Sequence, residues 1–358
     1  MSVRRYISVA AFAAMTNAVF LTSDAHAQWT LTILHPQGAQ ESVGYGASGG
    51  QQLGYVVLDG VSRASSWPGT AVSRLDLHPA GSTASQVFAA SGGQQVGYAR
   101  WGGARRAVLW SGSATAWVDL SPPGATDAVA RAIHGGQQGG DVRLNEAPPR
   151  ASLWTGTAAS RVDLHPLGME GLELSTVRAV SGGKQGGFAV VLSGGVRSWR
   201  AILWSGSADQ WVDLTPSEAS DAWVSAIDGD EQAGMAWVQW PRAVVWNGSR
   251  DSWRDISPPG SVGTSEVIAA SGGQQVGLAF MNDRYRASLW SGTSQSWVDL
   301  SAFLPAEYDQ SNANGISTDG ATTYITGYGR RPVDGGHIIE AWLLTRSDVS
   351  IFGNGFED

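Results

Sequence analysis

Six histidines and a recurring set of aspartates are the residues of this sequence whose types suit proton transfer or metal binding. Their spacing argues for a different use. His35, His78 and His165 each stand in a Leu-His-Pro tripeptide, and Asp76, Asp119, Asp163, Asp213, Asp255 and Asp299 recur at one position of segments such as VDLSP. A residue placed by a repeat serves the scaffold more often than a reaction, and a turn or cross-strand hydrogen bond is the expected role of these aspartates. His26 lies in the apolar N-terminal segment, His134 replaces a turn serine, and His337 sits alone in a variable loop. No serine or cysteine motif points to any of them, so no catalytic triad and no catalytic residues are assigned. The S-x-D-x-G-x-x-W box of sialidase-like propellers is absent, and glycoside chemistry needs two acids within about 5–10 Å, a separation that spacing along the chain does not fix. Asp228, Asp230 and Glu231 in DGDEQ gather three carboxylates, the weak option of a calcium site. They lack the longer calcium-loop spacing, so an acidic hairpin without metal or other cofactor is expected there.

The elements that carry these residues repeat. AASGGQQVG occurs at 89–97 and again at 269–277, with looser copies from Ala47, Ala132, Ala179 and Ala226. A tryptophan follows each copy, at Trp67, Trp110, Trp154, Trp204, Trp246 and Trp290, and Trp342 is counted as a seventh. The VDL segment follows six of them. Its seventh copy stands at the front of the chain, where LHPQG at 34–38 matches LHPAG at 77–81. Each unit reads as four short strands, rich in Val, Leu, Ile, Trp and Tyr, separated by Gly, Ser and Pro. Pairs such as Gly92-Gly93 supply the positive φ angles of a tight hairpin. Four strands in about 44 residues match a propeller blade.

The expected fold is therefore all-β, a seven-bladed β-propeller of four-stranded antiparallel blades. The blades cover about 39–79, 84–123, 126–167, 173–217, 221–259, 265–303 and 309–346, and residues 28–36 complete the last. Trp29–Pro36 is expected to pair with the strand around Ile338–Leu344. The repeated tryptophans, with Trp117, Trp211, Trp253 and Trp297 on the fourth strand, are read as wedges between blades.

Residues 1–27 have a basic start, an apolar middle and a small-x-small site at Ala25–Ala27, the pattern of a removed signal peptide. The Arg4-Arg5 pair adds a weak hint of the twin-arginine route. No other apolar run approaches the ~18 residues of a membrane span. The chain has no cysteine, so packing and hydrogen bonds alone hold the ring. Without Arg4, Arg5 and Asp24, 21 basic and 30 acidic residues remain, and the absence of a basic stripe excludes nucleic acid as an expected partner. An exported monomer is expected, secreted, at the cell surface or in the periplasm.

The order A-x-x-G-x-Q-x-G, R-A-x-L-W, V-D-L in Ala89–Pro122 resembles the HAF-type repeats of secreted bacterial proteins, over nearly all of the chain after residue 27. Two departures stand out: Ser-Gly replaces the usual Asn-Asp before the first glycine, and Arg106, Arg150, Arg200, Arg242 or Arg286 replaces the usual histidine. The resemblance implies an extracellular repeat protein of unassigned activity. Kelch propellers are a weaker likeness, and the tail IFGNGFE resembles the phenylalanine-rich ends of exported Gram-negative proteins. On this reading the chain is a non-enzymatic binding or surface-interaction module, with a carbohydrate-active propeller (glycosidase or lyase) as the alternative. Concentration of unusual polar residues at one part of the channel would favour an enzyme. Loops freed from the repeat are the expected recognition surface. Their candidate ligand-binding residues are Trp101, Arg143, Arg197, Trp199, Trp237, Trp240, Arg284, Tyr285, Arg330 and Arg331, types suited to stacking on a glycan or surface polymer or to pairing with carboxylates.

Overall fold

The computed structural model describes residues 29–347; the signal-peptide assignment and the 348–358 tail lie outside them. Seven four-stranded antiparallel sheets form the chain. The first blade is built from Glu41–Ser48, Gln51–Leu58, Val61–Trp67 and Leu75–Asp76, and the second from Ala84–Ser91, Gln94–Trp101, Ala104–Trp110 and Trp117–Asp119. In the seventh blade Gln310–Asp319, Thr322–Val333 and Gly336–Ser347 are completed by Thr30–Ile33, which runs from Thr30 opposite Thr345 to Ile33 opposite Trp342. The Leu34 N–H extends the joint to the Ala341 carbonyl at 2.8 Å. First strands touch their neighbours all round, the seventh meeting the first, so the ring is closed.

The repeated motif is accounted for residue by residue. In GGQQ the second glutamine is buried, and it bridges two turns. Gln95 donates to the Gly93 carbonyl at 3.0 Å and accepts from the Gly112 N–H at 2.9 Å. Gln52, Gln138, Gln185, Gln232 and Gln275 repeat the bridge. These bridges show that the first-to-second and third-to-fourth turns share one face of the ring. Gly92 and Gly93, at φ 58° and 79°, hold the first of those turns in the left-handed region that glycine tolerates best.

The Leu-His-Pro histidines fasten one blade to the next. His78 Nδ1 lies 2.7 Å from Ser85 Oγ, which also accepts from the Ala64 N–H, and His35 and His165 do the same through Ser42 and Ser175. Burial lowers the pKa of all three below the ordinary imidazole value. The repeated aspartates cap the following turn: Asp119 accepts from the Ser121 N–H at 2.8 Å. The arginine that stands where the resemblance expects histidine grips the same carboxylate, Arg106 to Asp119 at 2.9 Å and Arg286 to Asp299 at 2.7 Å. Both residue types are scaffold.

Six of the repeated tryptophans fill the space between blades with at most 1% of their surface exposed. Two readings need correction. Leu34 meets Ala341 as Leu77 meets Ala64, so Leu344 holds the place of the repeated tryptophan and Trp342 stands two residues earlier, on the same buried face. Trp117 is no wedge either: it is 37% exposed and stacks on Trp101 with ring centroids 5.2 Å apart.

Candidate functional site

Each first strand carries one bulge. The register slips between Gly44 and Gly46, Val87 and Ala89, Ala130 and Ala132, Val177 and Ala179, Val224 and Ala226, Val267 and Ala269, and Ala313 and Gly315. A bulge leaves one residue outside the ladder and re-aims its side chain. The repeat makes room for it on the second strand, where a Cβ at Gly97 would run into the Gln86 carbonyl and one at Gly187 into that of Thr176. That is the physical reason for the last glycine of GGQQVG.

The seven unladdered residues are Tyr45, Phe88, Arg131, Arg178, Ser225, Ile268 and Asn314, and all line the central channel. The small Gly46, Ala89, Ala132, Ala179, Ala226, Ala269 and Gly315 follow them and keep open a lumen of about 430 Å³. Its two sides differ. In the first two blades Tyr45 lies 5.2 Å from Phe88 and 5.7 Å from Tyr55, and Phe88 lies 6.0 Å from Tyr98, an aromatic arc. Burial, with Tyr98 and Glu41 adding to it, pushes the Tyr45 phenol up to about 12. Tyr55, raised in the same direction, donates to Glu41.

The opposite arc is charged. Arg131 donates to the buried Asp141 at 2.7 Å. Arg178, in the fourth blade, reaches across the fifth to Glu266 of the sixth, with a closest approach of 4.0 Å. Its guanidinium lies 5.3 Å from the Phe188 ring centroid and 5.8 Å from that of Trp223. The Trp223 indole N–H donates to Glu266 at 2.8 Å. Burial raises the Glu266 carboxyl above the usual range, with Trp223, Arg178 and Ser225 opposing. Burial likewise lowers Arg178, against Glu266. Arg178 is enclosed by the wall yet keeps 39% of its side chain accessible, because the surface it shows belongs to the lumen.

A second cavity of about 350 Å³ opens beside Arg178, walled by Phe188, Trp199, Trp223 and Trp237 with Asp221 at its edge. It unites two of the loop candidates, Trp199 and Trp237. Arg284 and Tyr285 share a smaller recess with Tyr308 and Asp309. The others lie apart. Arg197 is held by Glu173 at 2.6 Å, Arg330 by Asp309 and Arg331 by Glu340. Trp101 is stacked, Arg143 buries its Nε, and Trp240 lies under Arg242. Asp228, Asp230 and Glu231 disperse to Gly273, to Lys184 and to Gln275 with Arg254, and no group of three or more metal-ligating side chains occurs among the described residues. Reading the loops missed Arg178, Trp223 and Glu266. Their signal was the residue before the repeated alanine, which runs Tyr, Phe, Arg, Arg, Ser, Ile, Asn while its neighbours stay constant.

No protein-family model and no curated protein matches the chain. Solved structures do. A Mycobacterium tuberculosis puromycin-hydrolyzing peptidase matches at 12% identity and TM-score 0.53, over 83% of this chain and 51% of that one. The Pyrococcus horikoshii acylaminoacyl peptidase matches at 9% and 0.54, over 87% and 53%. The β-propeller domain of the Trilobed protease from Pyrococcus furiosus, of open velcro topology, matches at 7% and 0.54, over 86% and 94%. The chain spans about half the length of the first two peptidases, and at such identities the likeness is one of fold. It corrects the functional expectation nonetheless: the propellers of this shape belong to peptidases, so the surface-interaction module and its carbohydrate-active alternative are set aside. No helix among the described residues is long and apolar enough to cross a membrane.

Proposed function

We propose that this chain is a peptidase-related propeller whose central channel holds extended peptide for a proteolytic reaction. The observation that carries the reading is the asymmetry of the bulge residues. Seven equivalent positions have diverged into an aromatic arc and a charged arc, while the residues on either side of them stay small and constant. A lumen with aromatic faces on one side and arginine and carboxylate on the other offers contacts to both side chains and backbone of an unfolded segment. The fold likeness to propellers of peptidases supplies the substrate class. The channel lining contains one serine and neither histidine nor cysteine, so the reading assigns it capture of peptide rather than cleavage.

Fluorescence anisotropy with labelled unstructured octapeptides tests this directly. Binding is expected for the peptides, and at least tenfold weaker binding for the double substitution Ala89→Trp and Ala269→Trp, which narrows the lumen from opposite sides. Peptides that ignore the protein, or bind the narrowed variant equally well, would overturn the proposal.

A further inference from the structure

The cavity beside Arg178 has a chemistry of its own. Phe188, Trp199, Trp223 and Trp237 supply its walls, and Trp199 and Trp237 keep 38% and 45% of their surface exposed although neither lies in a flexible turn. Four large rings around one opening form a receptacle for a planar apolar group. An aromatic cage commonly takes a cation. Here that role is filled from within, because Arg178 already lies near Phe188 and Trp223, and a second cation would be repelled.

The acids nearby do not use up the charge of Arg178. Asp221 accepts from the Trp199 N–H at 3.0 Å and from the Ser220 hydroxyl at 2.8 Å. Asp141 is taken by Arg131 at 2.7 Å. Glu266 is bound by Trp223 and stands 4.0 Å from Arg178, beyond hydrogen-bond range. Arg178 therefore donates no hydrogen bond to any described residue, and its planar fork of N–H groups faces the junction of cavity and channel. A guanidinium so placed is a receptor for a carboxylate, which it binds through two parallel hydrogen bonds.

We propose that this cavity is a subsite for the C-terminal residue of a peptide with an aromatic side chain, the ring among Trp199, Trp223 and Trp237 and the terminal carboxylate on Arg178. The peptide part of this assignment rests on the channel reading above. The ring-plus-carboxylate part stands on the cavity alone.

Calorimetry with four probes separates the two: acetyl-trialanyl-phenylalanine as free acid, its C-terminal amide, acetyl-tetraalanine as free acid, and 3-phenylpropanoate. The phenylalanine acid is expected to bind at least tenfold more tightly than its amide or the alanine acid. Trp237→Ala, at a half-exposed site the fold does not depend on, should weaken it about tenfold. Arg178→Gln should bring acid and amide to equal affinity. Equal affinity of acid and amide for the unaltered protein, or indifference to both Trp199→Ala and Trp237→Ala, would overturn the subsite. If alanine-rich peptides bind the channel but 3-phenylpropanoate does not bind, the subsite fails and the channel reading survives. If 3-phenylpropanoate binds with the expected dependence on Trp237 and Arg178 while no peptide does, the channel reading fails and the cavity remains a site for aromatic acids.

Discussion

Replacing Gln95 with leucine removes one clamp of the scaffold while nearly preserving volume. The side chain is 2% exposed, and both ends of its amide are engaged, at 3.0 Å to the Gly93 carbonyl and 2.9 Å to the Gly112 N–H. Both glycines lie at the surface, so water replaces the lost partners and each bond is worth its net contribution, about 0.5–1.5 kcal/mol. The expected loss is about 1–3 kcal/mol. With an unfolding entropy of ~2.1 cal/mol/K per residue over about 320 described residues, that becomes a fall in Tm of roughly 2–4 °C. Scanning calorimetry of Gln95→Leu beside Gln94→Leu supplies the control, since Gln94 makes no side-chain hydrogen bond among the described residues and should leave Tm within about 1 °C. A Gln95→Leu protein that melts with or above the parent would refute the claim that the repeated glutamine is there to tie the two turns.

Two further outcomes follow from the same scaffold. Deleting residues 28–37 strips the seventh blade of Thr30–Ile33 and of the buried Leu34, and should lower Tm by more than any single substitution; a truncated protein melting like the parent would exclude the closure. His35, His78 and His165 are held neutral by burial, so between their lowered folded values and 6.5 the unfolded chain binds more protons than the folded one. Stability should decline as pH falls through about 6.5, and urea titrations from pH 7.5 to 5 should show a shallower decline for His35→Gln/His78→Gln/His165→Gln; rising stability on acidification in this window would contradict the assignment.

The architecture was legible because it is written seven times. Turn glycines, buried tryptophans and a displaced Leu-His-Pro were enough to place every blade and its closure. The seventh tryptophan was misplaced for a physical reason: the first hairpin of that blade is longer, running to Asp319 opposite Thr322, which shifts spacing without changing pairing. The channel residues were hidden by the bulge. Strict alternation puts Phe88 on the face opposite Val87 and Ala89, and nothing in a period of two announces that the ladder skips it. Loop arginines misled in the opposite way, since the acids that neutralise them, Glu173, Asp309 and Glu340, come from other strands or links of the same blade.

The closing joint has a consequence for how the protein is made. Thr30–Ile33 and its partner strand are about 300 residues apart, so at 5–20 residues per second the N-terminal strand waits roughly 15–60 s for the segment that receives it. During that interval the nascent chain carries a loose strand at one end and, once the last hairpin forms, an unpaired strand edge at the other. The two are complementary, within one molecule and equally between two. At low concentration the intramolecular closure wins, because both ends belong to one nearly complete ring. In a crowded refolding mixture the same four residues can seal a neighbour's seventh blade, and since each exchange leaves a donor and an acceptor free, the product is an open chain of rings or a swapped dimer that returns both. Dilution during refolding, more than any solubilising additive, is the variable that should decide between ring and chain.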